Sequence, residues 1–250
     1  MTDCPCCAEP WVLGEESAEG DTPWNAASKF YLYVGTVTTT IATSQAFTQS
    51  GTTEGQSWDG TDTYITDRIA SSTTQWLRRY SGQFSSTLKD SVNTASISGT
   101  NICTGESWTG ASVYFIDLNT TNRFLEVSGN FTSTIKQSVS IDTRAHEGIS
   151  HDETDTYSQE QPFGSSNGKL LKYSGQFTST LKTSASLTSQ IIASDLTWDG
   201  SKILNAVEDV GGGNGRIQVY AGFSSTITDS ATFAGVAPLR GLNSNNSTVG

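Results

Sequence analysis

The sequence predicts an all-β fold, a five-bladed β-propeller, on three observations: a Tyr/Val-x-Gly landmark recurs five times, a Trp-x-Gly landmark keeps step with it, and no segment longer than a turn has a helical period. The first landmark is clearest in Tyr80-Ser81-Gly82-Gln83-Phe84-Ser85-Ser86-Thr87-Leu88-Lys89. It returns from Val127 to Lys136 and from Tyr173 to Lys182, and in shortened form at Tyr33-Val34-Gly35 and Tyr220-Ala221-Gly222. The glycines stand at 35, 82, 129, 175 and 222, spaced 47, 47, 46 and 47. That period is the length of a unit of three or four short strands, which is a propeller blade.

The second landmark is Trp58-Asp59-Gly60, Trp108-Thr109-Gly110 and Trp198-Asp199-Gly200. In the fourth unit Ser150-His151-Asp152 keeps the frame of Ser57-Trp58-Asp59, with His in place of Trp. Asp-Gly is a tight-turn pair. The segments around it, such as Thr63–Asp67 and Arg216–Tyr220, are β-prone or alternating. No Trp follows Ser230, whereas Trp11 lies 22 residues before Tyr33, the interval that separates Trp58 from Tyr80. The N-terminal strand is therefore expected to pair with the C-terminal strand and close the ring, with Trp11 beside the strand running from Phe223 to Phe233, so that neither end leaves an open edge. A linear β-solenoid would need capping repeats, which the sequence lacks. The expected organisation is a Cys-rich tail over 1–10, the propeller over 11–237 and a C-terminal tail over 238–250.

Composition limits the partners. Lys and Arg number 14 against 25 Asp and Glu, a formal charge of −11. Affinity for nucleic acid needs the opposite balance, so no nucleic-acid partner is expected. The start, Met1-Thr2-Asp3-Cys4, has neither a basic nor an apolar signal region, and no stretch has the length and hydropathy of a membrane helix. No membrane insertion is expected.

Candidate sites follow from the repeat. Trp58, Trp108, His151 and Trp198 either pack between blades or line a face as platforms for sugar rings or a protein partner; a His inside an apolar slot would carry a polar cost. Asp59, Asp152 and Asp199 beside them read first as turn residues, and no calcium-loop spacing fits the acidic series Asp59, Asp62, Asp67, Asp152 and Asp155, which also reads as turn-forming. His146 and His151 are five apart in a β context, where a zinc-protease helix needs four. No catalytic residue, metal or cofactor is expected. Cys4, Cys6 and Cys7 form a segment suited to anchoring or assembly, separate from the repeat.

The unit as it stands in Trp58 to Lys89, and again in Lys169 to Lys182, resembles the tandem propeller repeats of virion and tail-associated proteins of bacteriophages. The resemblance spans Trp11 to about Phe233. It implies a non-enzymatic structural or adsorption component of a phage particle, located in the virion and contacting other virion proteins or further copies of itself. In blade number and unit length alone the chain is also similar to five-bladed lectins of the tachylectin type. That likeness implies the alternative of an extracellular, multivalent carbohydrate-binding protein whose partner is a cell-surface glycan.

Overall fold

The computed structural model describes residues 11–15, 28–33, 41–46, 52–59, 61–68, 75–82, 85–98, 103–108, 112–117, 122–128, 134–141, 146–152, 154–161, 167–187, 191–209, 214–234 and 239–243. They form an all-β protein. In chain order the strands are β1 (Trp11–Glu15), β2 (Ser28–Tyr33), β3 (Ile41–Ala46), β4 (Thr52–Trp58), β5 (Asp62–Arg68), β6 (Gln75–Ser81) and β7 (Leu88–Asn93). A short helix α1 (Thr94–Ser98) precedes β8 (Cys103–Trp108), β9 (Ser112–Asp117), β10 (Arg123–Ser128), β11 (Ile135–Ser140), β12 (His146–His151) and β13 (Asp155–Glu160). The chain continues through β14 (Lys169–Ser174), β15 (Leu181–Ser186), β16 (Ile191–Trp198), β17 (Ile203–Asp209), β18 (Asn214–Tyr220), β19 (Ile227–Ala234) and β20 (Leu239–Asn243).

Four sheets are plain meanders in which consecutive strands pair antiparallel, as short hairpin connections favour: β4-β5-β6-β7, β8-β9-β10-β11, β12-β13-β14-β15 and β16-β17-β18-β19. The fifth has the order β20-β1-β2-β3 and so unites the two ends of the chain. The first strands of the sheets touch one another in sequence: β4 meets β8, β8 meets β12, β12 meets β16, β16 meets β20, and β20 meets β4.

The core lies between sheets. Tyr157, Leu170 and Leu187 of one sheet interlock with Leu196, Ile203, Val207 and Tyr220 of the next. Ile116 and Phe124 pack against Ile149, Leu171 and Tyr173 across the preceding gap. A third layer joins Tyr64, Leu77 and Ile97 to Leu125 and Val127. Such layers suit the composition, because each needs only a handful of bulky residues to exclude water.

The landmark glycines have a backbone reason. Gly82, Gly175 and Gly222 take φ of +84°, +94° and +56° at the end of the third strand of their sheets, a region that side-chain-bearing residues enter at a cost. Gly82 N–H donates to Thr61 O at 3.1 Å and Gly175 N–H to Thr154 O at 2.9 Å, tying this turn to the hairpin two strands away. The hydroxyls of Thr63 and Thr156 reinforce it by donating to the carbonyls of Gly82 and Gly175.

The ends of the chain differ from expectation in two respects. Trp11 does not lie beside the strand from Phe223 to Phe233, which is taken up in β19 and pairs with β18. It pairs instead with Asn243 of β20 and Leu32 of β2. Second, residues 239–243, expected within a tail, form a strand, so the sheet-forming region reaches Asn243. By register Trp11 belongs with Tyr64, Tyr114, Tyr157 and Leu204 on second strands, opposite Leu32 as those lie opposite Arg79, Glu126, Lys172 and Val219. The matching interval misleads because the β1–β2 connection, 16–27, is twice as long as the β5–β6 connection, 69–74.

Candidate functional site

The structure places the Trp landmark at the end of the first strand of four of the five sheets. Trp58, Trp108, His151 and Trp198 pair with Thr63, Val113, Thr156 and Ile203 respectively. Trp198 stacks on Tyr157 of the neighbouring sheet, with ring centroids 4.8 Å apart and planes 13° from parallel. Its backbone N–H donates to Ser150 Oγ, again across the gap, at 3.0 Å. Trp198 is thus a packing group between sheets, and Trp58 is likewise half-buried. Trp108 shares the register, and its side chain lies outside the described residues.

His151 is 8% exposed in the same register. Burial pulls its pKa down to about 4, against a smaller upward pull from Asp152. The ring is therefore neutral at pH 7, which is how a polar ring is kept at low cost in a packed position.

Asp59, Asp152 and Asp199 hold the turns that follow. Asp59 Oδ1 accepts from the N–H groups of Thr61 and Asp62 at 2.7 and 2.6 Å, and its Oδ2 accepts from Tyr64 Oη at 2.8 Å. Asp152 repeats the set with Thr154, Asp155 and Tyr157. Asp199 accepts from the N–H groups of Ser201 and Lys202. The phenols of Tyr64 and Tyr157 are held well above their usual pKa, first by burial and then by the adjoining carboxylate. Each Asp is an Asx-turn acceptor that also anchors a buried phenol. Replacing Asp152 by Ala orphans two N–H groups and the Tyr157 hydroxyl, and is expected to cost about 1–3 kcal/mol. Thermal melting should fall by several degrees; an unchanged melting temperature would contradict this role.

A second polar layer, missed in the sequence, lies beside these turns. Buried Asp62 faces Lys89 Nζ at 2.6 Å and Arg79 Nε at 3.8 Å, and Arg79 also donates to Asp90. Asp155 faces Lys172 and Lys182 at 2.8 and 3.0 Å. Burial pushes the Asp155 pKa up, but the two lysines outweigh it and hold the carboxyl below its usual value. In the intervening sheet Ser112 occupies the Asp position, Glu126 replaces the cation of the third strand, and Lys136 bonds both. The acid has moved by one strand while the fourth-strand lysine stays. The signal was available as Lys89, Lys136 and Lys182 at one place in the unit.

A further repeat on the first strands also escaped sequence reading: Gly55-Gln56-Ser57-Trp58, Gly105-Glu106-Ser107-Trp108, Gly148-Ile149-Ser150-His151 and Asp195-Leu196-Thr197-Trp198. Its fifth copy is Gly241-Leu242-Asn243-Ser244, and Asn243 pairs with Trp11 as Ser57 pairs with Tyr64.

Cys4, Cys6 and Cys7 lie outside the described residues, and Cys103 begins β8 opposite Asp117. Among the described residues no three His, Cys, Asp or Glu side chains converge as metal ligands, and no helix is long and apolar enough to cross a membrane.

No family model matches the chain, and no curated protein matches it. Among solved structures it is similar to a chain of the nidogen/laminin complex, with 11% identity, a TM-score of 0.55, and coverage of 94% of this chain and 98% of that one. It is also similar to the Dos1 propeller, with 10% identity, a TM-score of 0.44, and coverage of 82% and 54%. A third is the β-propeller domain of the trilobed protease from Pyrococcus furiosus, at 8% identity, a TM-score of 0.43, and coverage of 90% and 67%. At these identities the likeness concerns the fold alone: an all-β protein with β-propellers among its structural neighbours.

Proposed function

We propose that the chain is a five-bladed propeller whose ring is closed by the pairing of β1 with β20, and that it serves as a non-catalytic structural or adsorption component of a bacteriophage particle. The cyclic order of contacts among β4, β8, β12, β16 and β20 supports the ring. The observation that carries the assembly role is a repeated apolar position on the outermost strands. Leu88, Leu181 and Ile227 are 37%, 51% and 39% exposed, and they pair with Tyr80, Tyr173 and Tyr220 at one register. Exposed aliphatic groups repeated from blade to blade suit a partner that presents repeated surfaces, which means other virion proteins or further copies of this chain. The Cys4–Cys7 segment would supply the anchoring end.

The alternative, a glycan-binding lectin using the Trp-Asp positions, is less well supported, because Trp198 is spent on Tyr157 and the Asp carboxylates on turns. Mass spectrometry of purified particles should recover the chain in many copies, while a glycan array probed with the isolated protein should show nothing that depends on Trp58 or Trp198. Absence from particles, together with glycan binding lost on replacing those two residues, would reverse the choice.

A further inference from the structure

The gaps between neighbouring sheets are filled unequally. Between β4–β7 and β8–β11, Ile97 of α1 is buried in the interlocking layer. Between β12–β15 and β16–β19, Leu187 does the same at 1% exposure. In the gap between them the counterpart of Leu187, the residue directly after β11, is Ile141, only partly buried, and here a groove of about 450 Å³ opens. Its floor is Leu171 and Tyr173, 3% and 4% exposed. Leu181, half exposed, forms part of one wall.

Three hydroxyls, Ser140, Ser179 and Ser184, rise around this apolar floor. The groove also takes in Glu160, itself 3% exposed, with Lys169 Nζ 3.5 Å from its Oε1. A deep carboxylate offers a charged acceptor and the more exposed ammonium a charged donor. Serine hydroxyls both donate and accept. An apolar floor with a few convergent polar groups, in this volume range, is the make-up of a small-molecule site.

We propose that this groove binds a neutral hexose. A pyranose ring presents an apolar C–H face bounded by hydroxyls, which matches an aliphatic and aromatic floor rimmed by serines. Within the groove the charges of Glu160 and Lys169 cancel, so an anionic ligand gains no net attraction. The groove's lining takes in Tyr173 and Leu181 on the third and fourth strands of their sheet, in the cross-strand row of His151, whereas Trp58 and Trp198 end the first strands of other sheets. The groove shares Leu181 with the proposed assembly surface, but the two are tested separately: a failure here leaves recovery in particles untouched, and the reverse also holds.

The test is a methyl-NMR titration of the full chain, labelled at Ile and Leu, with galactose, glucose, mannose and N-acetylglucosamine in turn, and with N-acetylneuraminic acid as the anionic comparison. At least one neutral hexose should shift the Ile141, Leu171 and Leu181 methyls saturably, in the millimolar range. Ser184→Trp, which fills the groove from an exposed position, should lower that affinity at least tenfold with an unchanged melting temperature. Should Ser184→Trp fail to fold, Ser140→Trp fills the groove from the opposite wall. Absence of saturable shifts with all four sugars, shifts that survive the folded Trp variant, or preference for the anionic sugar would each overturn the proposal.

Discussion

Replacing Gly148 by Ala is expected to destabilise the protein by about 2–5 kcal/mol. Gly148 is the extra residue of a bulge in β12, between the pairs of Glu147 and Ile149, and has φ of +67°. A Cβ there would stand 2.5 Å from the backbone N of Leu196, 2.8 Å from Asp195 Oδ1 and 2.9 Å from the Asp195 carbonyl carbon. Two of those three atoms are backbone of β16, so the clash is relieved only by moving β12 and β16, the first strands of their sheets, apart. Gly200→Ala is the control. Gly200 also has a positive φ, +95°, but a Cβ there meets nothing within 4 Å, leaving a conformational cost of about 1–2 kcal/mol. In thermal melts the Gly148 variant should lose roughly 10 °C and the Gly200 variant much less. Equal losses would contradict the close approach of β12 to β16.

Acidification from pH 6.5 to pH 4 is expected to remove about 3 kcal/mol of stability through His151 alone. Its pKa in the folded protein is about 4, against 6.5 for the free side chain. The unfolded chain therefore takes up a proton in this window while the folded chain resists it. The contribution is complete above pH 6.5, declines as pH falls, and changes no further below about 4. Asp155 adds a loss at still lower pH, because its carboxyl, held below its usual value by Lys172 and Lys182, must be protonated on acid unfolding. Urea unfolding at pH 7, 5.5 and 4.5 reads the slope directly. His151→Gln keeps a polar side chain without the titration, so its slope over this range should be clearly shallower, whatever its stability at pH 7. An identical slope in the variant would show that His151 is not the group responsible.

Gly148 keeps the repeat of the first strands while His151 departs from it, and that bears on what the sequence made legible. The period was legible because the turn after the third strand demands a positive φ at Gly82, Gly175 and Gly222, and few other residues satisfy that demand. Asp59, Asp152 and Asp199 were legible as turn residues for a similar reason: side-chain-to-backbone hydrogen bonds are local. The place of Trp11 was not legible. Strand register depends on which residues face each other across a gap, and a connection of different length shifts that without disturbing any spacing. The Gly-x-Ser-Trp element of the first strands was present in the letters, but its last copy ends in Asn243-Ser244, where a search for Trp passes over it. The groove beside Leu171 depends on how deeply Ile141 enters the gap, a property of packing between distant segments that no local pattern encodes.

The claim that the two ends of the chain share one sheet can be tested by disulfide trapping in the full-length chain. With its four cysteines replaced by Ser, the double variant Val12→Cys, Leu242→Cys places two thiols on residues that pair across β1 and β20, within the span a disulfide bridges. On mild oxidation an intramolecular disulfide should form in nearly every molecule and raise the unfolding temperature. Failure to form it, or its appearance only as a link between chains, would contradict the pairing and with it the proposed closure of a five-bladed ring.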